Sequence, residues 1–391
     1  MTVLFRKGMI IVTAMVLLSA CSTTSKPETN ERFDSLEFQS VKVAPFDQAL
    51  TFARVMVNKE RHIIVLTEFL NGRIKGVDLT RAMGSHLDDP ISAYTELGYT
   101  EMVKLVKDSQ VNYSITVSVD RLIMPVDLND KHIAAGINYL AHAGETGVKE
   151  GPFLFSKHVT PTGFNTSVAI QEGLLDYEVE LAAVTLGPVR EGKLPNEYGL
   201  ILTNDFTNRA ALLRNIDVTD VTSGKGFATG KSFSGYLPVG NLFVIPKNPE
   251  QFAKNLHLTL FVNDSIRQVS STNLMVWDFE RIVSETWKMK HVEWEFNGES
   301  IKLMGGDPWI KARTLIMSGT PDGVVFQGIP LTTKLSGVFS WLTGGWGTSI
   351  PLNVMEAYIQ DAKESSLYLQ PNDTVSIHVN TMGTLQNKIV Q

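Results

Sequence analysis

The segment Asp176-Tyr177-Glu178-Val179-Glu180-Leu181 constrains this chain more than any other. Successive side chains on a strand point to opposite faces, so Glu178 and Glu180 share one face while Val179 and Leu181 take the other, against a core. Two carboxylates side by side on a half-buried strand repel unless a cation or a proton separates them. A third acid follows in Thr203-Asn204-Asp205-Phe206-Thr207-Asn208-Arg209, where a strand predicted over Tyr198 to Thr203 runs into a loop at Asp205. Three carboxylates and water make a hard, all-oxygen site, which suits Mg²⁺ or Mn²⁺ better than Zn²⁺. Alone, the Glu-x-Glu pattern is better described as an ordinary solvated strand face, so the rest of the chain has to decide.

The surroundings are those of an α+β, mostly β chain. After Val126, short strand-like runs are broken by Gly, Pro and Asn: Tyr177 to Thr185, Tyr198 to Thr203, Leu256 to Val262, Thr314 to Ser318 and Thr374 to Val379, with a helix predicted over Trp277 to Thr286. Residues 38–125 read as a smaller N-terminal α+β domain suited to packing or a dimer contact. There, Asn71-Gly72 predicts a hairpin between His62 to Leu70 and Arg73 to Leu79. Pro90 to Val106 has helical spacing interrupted by Gly98, and Tyr113 to Val119 alternates like a strand. Residues 126–391 form the expected catalytic domain, with an insertion at about 325–366.

The beginning of the chain predicts an address. Arg6 and Lys7 precede an apolar run from Met9 to Leu18, too short for the roughly 20 residues a spanning helix needs but suited to a signal peptide over residues 1–20. Leu18-Ser19-Ala20-Cys21 resembles a bacterial lipobox, which makes Cys21, the only cysteine, a lipidation site. Residues 21–37 then read as a flexible tether, rich in Ser, Thr, Pro, Asn and Glu. With Ser22 after the cysteine, the resemblance implies the periplasmic face of the outer membrane. A net charge of −6 without a basic cluster argues against nucleic-acid binding.

Further motifs decide the case for the acids. Gly136-Ile137-Asn138-Tyr139 with His142 and Glu145, Asp176 to Leu181, Asn204 to Arg209, Gly230-Lys231-Ser232-Phe233, Ser318-Gly319-Thr320-Pro321 and Met382 to Asn387 occur in one order. Together they closely resemble the fumarylacetoacetate hydrolase family, over about Pro125 to Val390. The resemblance implies a mixed β-sandwich roll, a homodimer, and Glu178, Glu180 and Asp205 as ligands of Mg²⁺ or Mn²⁺. It implies His142 and Glu145 as a water-activating dyad on a lid, Lys231 as the group steadying negative charge, and Tyr139, Lys157, Arg209 and Thr320 as substrate contacts. Two polar positions of the family segment after the arginine are Ala210 and Leu212 here, which suggests an apolar substrate group or a weakened site.

The residues support such chemistry independently. His142 and Glu145 stand three apart, on one face of a helical turn, so the carboxylate can orient the imidazole. Gly144, Gly147 and Gly151 loosen that segment as a lid requires. The expected activity is metal-dependent hydrolysis of a carbon–carbon bond in a β-dioxo acid of the acylpyruvate or fumarylacetoacetate kind. The nearest rivals are oxaloacetate decarboxylation and keto-acid hydration or isomerisation on the same site. A rival of another class is a non-catalytic, metal-dependent lipoprotein that binds a small molecule. In the insertion, Val338 to Leu342 and Gly344 to Gly347 predict a hydrophobic cap or dimer contact, or a membrane-facing flap carrying tryptophans.

Overall fold

The computed structural model describes residues 41–171 and 173–391. The expected signal peptide, Cys21 and the tether lie outside the described residues. Among those described, no helix is long and apolar enough to cross a membrane.

The backbone is a sheet-rich α+β roll. One large sheet runs in the order Ser114–Ser118, Arg73–Asp78, Glu60–Leu70, Ala49–Val57, Phe243–Pro246, Gly199–Asn204, Val179–Val184, Leu315–Met317, Lys131–Gly136 and Phe153–His158. The predicted hairpin is present, with Asn71 and Gly72 both at positive φ, as a tight two-residue turn requires. Ala49–Val57 pairs with Phe243–Pro246, so the N-terminal strands continue the sheet that carries the acids. That pairing satisfies backbone groups that an open edge would leave exposed.

Strand Val179–Val184 is buried along its whole length because both faces are covered. Val179, Leu181 and Ala183 pack toward a second, five-stranded sheet through Leu258, Leu260 and Ile377. Ala182 and Val184 belong to a different cluster, with Tyr94, Met102 and Val106 of the helix Pro90–Tyr113. That helix turns non-helical at Gly98, where φ is 69°; a glycine adopts this conformation without the Cβ clash that other residues meet.

Residues 325–366 carry two helices, Leu331–Leu342 and Ile350–Glu364. Gly337 lies against Val354 so closely that a Cβ there would come within 2.4 Å of the Val354 backbone. The second helix buries Val354, Met355, Tyr358 and Ile359, while the first leaves Leu331, Leu335, Phe339 and Leu342 exposed along one side.

Candidate metal centre and active-site cavity

The ladder brings the acids together. Val179 pairs with Asn204 and Glu180 with Thr203, which sets Glu178 opposite Asp205 just beyond the strand ends. The Asp205 amide donates to the Glu178 carbonyl at 2.9 Å, continuing the pairing. Glu180 follows on the same face, two residues on. One carboxylate oxygen from each of Glu178, Glu180 and Asp205 lies within 4.8 Å of the others. All three side chains are buried. The solvated-face alternative for Glu-x-Glu therefore does not describe this strand.

Buried anions need counter-charges, and three cations reach this cluster. Lys231 Nζ donates to Glu178 Oε2, Asp205 Oδ2 and Thr207 Oγ1, each at 2.8 Å. Lys157 Nζ donates to Asp205 Oδ1 and, at 3.0 Å, to the Tyr236 carbonyl. Arg209 Nη2 donates to Asp176 Oδ2 at 2.6 Å and Glu178 Oε1 at 3.0 Å. Its Nε has no hydrogen-bond partner among the described residues. Among the described residues no cation hydrogen-bonds to Glu180. Its Oε2 accepts the Gly319 amide at 3.0 Å. Gly319 is at φ 77°, and a Cβ there would sit 2.8 Å from the Ala135 carbonyl oxygen, so this amide can reach Glu180 only from a glycine.

This partition sets the proton affinities. Burial and the neighbouring Asp205 and Glu178 charges hold Glu180 protonated well above the usual carboxylate range. Burial acts the same way on Glu178, but Lys231 and Arg209 outweigh it and depress that carboxyl. Burial lowers the proton affinity of Lys157 despite Asp205, with Lys231 adding to the effect. For Lys231 the balance falls the other way, because Asp205 and Glu178 outweigh burial. Hard oxygen donors at this spacing, one of them short of a counter-charge, fit a divalent cation such as Mg²⁺ or Mn²⁺.

A cavity of about 300 Å³ opens beside the cluster, lined at its charged end by His142, Glu178, Arg209, Lys231 and Thr320. The short helix Leu140–Thr146 presents His142, whose Nδ1 is 3.2 Å from Glu145 Oε2. The other Glu145 oxygen accepts the Gly323 amide at 2.9 Å. With a carboxylate on Nδ1, that nitrogen carries the proton and Nε2 is left as an acceptor. Asn138 ties the base of this segment down, donating to the Trp277 and Ser318 carbonyls and accepting the Trp277 amide. Ile137, another lining residue, sits at φ 57°, a strained conformation for a β-branched side chain.

The structure therefore gathers His142, Glu178, Arg209, Lys231 and Thr320 around one space, with Glu145 behind the histidine. It places Lys157 differently from the expected substrate contact: the side chain is wholly buried behind Asp205 and does not line the cavity. Tyr139 is also buried away from the lining. Asp176 was missed by the sequence reasoning. It pairs with Arg209 and accepts the amides of Val325 and Phe326. The signal was present, because Asp176 stands two residues before Glu178 in the same alternation. Gln268, which accepts the Val179 amide and donates to Thr320 at 2.9 Å, is a further buried support.

Fold and site together define a carboxylate-rich enzyme scaffold, and the similarities agree. Residues 131–390 match the fumarylacetoacetate (FAA) hydrolase C-terminal family. The chain belongs to this family. A mitochondrial oxaloacetate tautomerase of Rattus norvegicus is 29% identical over 225 residues, 54% of this chain and 62% of that protein. A protein of Methanocaldococcus jannaschii is 29% identical over 200 residues, 50% of this chain and 73% of its own length. Among solved structures, the fumarylacetoacetate hydrolase of Exiguobacterium antarcticum superposes with a TM-score of 0.55 at 20% identity, covering 87% of this chain and 99% of its own. A maleylpyruvate hydrolase from Sphingobium gives 0.51 at 16% identity, covering 87% and 99%. These two likenesses concern the fold.

Proposed function

We propose that this protein is a metal-dependent hydrolase that cleaves a carbon–carbon bond in a β-dioxo acid of the acylpyruvate or fumarylacetoacetate kind. The observation that carries the proposal is His142, paired with Glu145, lining the same cavity as Glu178 of the acid cluster. Hydrolysis needs a base that deprotonates water, which this pair supplies; a tautomerase would use the same base on a carbon acid, so the products decide between them. Glu178, Glu180 and Asp205 would hold Mg²⁺ or Mn²⁺, which would supply Lewis-acid polarisation of chelating oxygens. Nε2 of His142 takes the proton of a water, and Glu145 steadies the imidazolium that results. Arg209, whose Nε makes no hydrogen bond among the described residues, is the donor suited to the substrate carboxylate; Thr320 lines the same end, with its hydroxyl donating to the Val179 carbonyl at 3.0 Å. Lys231, at the same wall, steadies the negative charge left when the enolate departs.

Turnover of acylpyruvates and oxaloacetate, with and without chelator, tests the reading. Pyruvate plus a free carboxylic acid, without CO₂ and lost on chelation, is the expected result. CO₂ release or keto–enol exchange of oxaloacetate without hydrolysis overturns it. Oxaloacetate chemistry is the second reading, favoured by the similarity to the rat tautomerase; keto-acid hydration or isomerisation belongs with it. A non-catalytic binding protein is disfavoured, because a mere binder has no use for the dyad.

Lipidation of Cys21, retention on the periplasmic face of the outer membrane and a homodimeric state complete the proposal. They rest on the lipobox-like Leu18 to Cys21 and on the family resemblance. Replacing Cys21 with serine should move the protein from the membrane to the soluble fraction. Unchanged membrane fractionation contradicts the anchor, and a monomer in sedimentation analysis contradicts the dimer.

A further inference from the structure

We infer that the substrate's acyl substituent is apolar and several carbons long, an inference that rests on the hydrolase reading above. The cavity changes character along one helix. Arg209, at the start of Arg209–Asn215, stands in the acid cluster. Leu212 and Leu213 follow three and four residues later, one turn on and on the same side, and both line the cavity. Ile216 lines it a further turn along. At 1.5 Å per residue, Arg209 to Ile216 spans about 10 Å, enough for an extended chain leaving the charged end. Val218, half exposed, stands at the outer end.

The opposing walls are apolar as well, and they are fixed. Gly230 lies so close to Leu212 that a Cβ on it would come within 2.6 Å of the leucine Cβ, which holds the leucine in place. Phe227 lines the cavity one turn before Lys231. The inserted helix Ile350–Glu364 contributes Val354 and Met355, and the Arg214–Glu356 pair, at 2.6 and 2.8 Å, docks it against Arg209–Asn215. Lys334, from the other inserted helix, also lines the cavity. It is the feature that would suit a second carboxylate, so the test sets the two substituents against each other.

Binding of acetylpyruvate, butanoylpyruvate, hexanoylpyruvate and succinylpyruvate to His142→Ala protein in Mn²⁺, measured by calorimetry, makes the comparison, with kcat/KM measured on the native chain. Each buried methylene should tighten binding about fourfold, on the order of a hundredfold from acetyl- to hexanoylpyruvate. Succinylpyruvate should bind at least about tenfold more weakly than butanoylpyruvate, which has a methyl in place of the second carboxylate, because that carboxylate would be desolvated. Leu212→Gln should cut the hexanoyl-to-acetyl ratio about tenfold, and Met355→Gln provides the same reading from the inserted helix should the first variant fail to fold. Affinity independent of chain length, or succinylpyruvate bound tightest, overturns the inference while leaving the hydrolase reading intact if cleavage occurs. Chain-length-dependent binding without cleavage by the native protein supports the inference and removes the hydrolase reading. Failure of every probe to bind overturns both.

Discussion

Replacing Lys157 with methionine tests whether the acid cluster is a cation site or a set of structural ion pairs. Lys157 Nζ is fully buried, donating to Asp205 and the Tyr236 carbonyl; methionine keeps much of the volume and removes the charge. Deleting one partner of a buried pair costs about 3–5 kcal/mol. With roughly 350 described residues at about 2.1 cal/mol/K each, the unfolding entropy is about 0.7 kcal/mol/K, so that cost lowers Tm by about 4–7 °C. A divalent ion restores a counter-charge to Asp205, and removing the neighbouring ammonium also removes a repulsion against that ion. At a free concentration 100 times Kd, Mn²⁺ adds about 2.7 kcal/mol, or about 4 °C. Scanning calorimetry of the native and variant proteins, in chelator and in Mn²⁺, reads both effects. The variant should melt lower in chelator and gain more from Mn²⁺ than the native chain. Equal melting in chelator, or a smaller Mn²⁺ gain in the variant, refutes the reasoning.

Other perturbations separate the parts of the site. Because burial, Asp205 and Glu178 raise the proton affinity of Glu180, that proton must leave before its oxygen can bind a metal. Mn²⁺ affinity should therefore rise with pH, by at most about tenfold per unit, and level off above the raised pKa; calorimetry in buffers of different ionisation enthalpy should count the proton released, and a pH-independent affinity contradicts the assignment. His142→Ala should lower kcat by about 10²–10⁴-fold while Mn²⁺ binding persists, whereas Glu178→Gln should lose both; unchanged turnover in the two variants ends the enzyme reading. Gly319→Ala should destabilise by at least about 1–2 kcal/mol, from the left-handed φ and the contact with Ala135, and an unchanged urea midpoint would show that this backbone tolerates a Cβ.

Local periodicity made the acids legible. Alternation from Asp176 to Leu181 put Glu178 and Glu180 on one face, and the strand-to-loop change at Asp205 set the third acid at a strand end. The antiparallel register supplied what those observations needed to meet. His142 and Glu145, three apart, also follow from sequence spacing. Long-range partners did not. Nothing near Lys157 signals that its ammonium ends behind Asp205, because that contact joins residues 48 positions apart. Nor does Asp176 announce Arg209, 33 positions away. Such pairs are set by how strands stack, not by local pattern. The kink at Gly98 was visible as a glycine in a helical run, but its φ of 69° depends on the packing of both halves against the sheet.

The most direct test is a crystal soaked in Mn²⁺ and measured near the manganese absorption edge. The account predicts one anomalous peak within coordination distance of carboxylate oxygens of Glu178, Glu180 and Asp205, beside the cavity that His142 lines. An empty cluster at saturating Mn²⁺, with the lysine contacts unchanged and the ion elsewhere or absent, would contradict it.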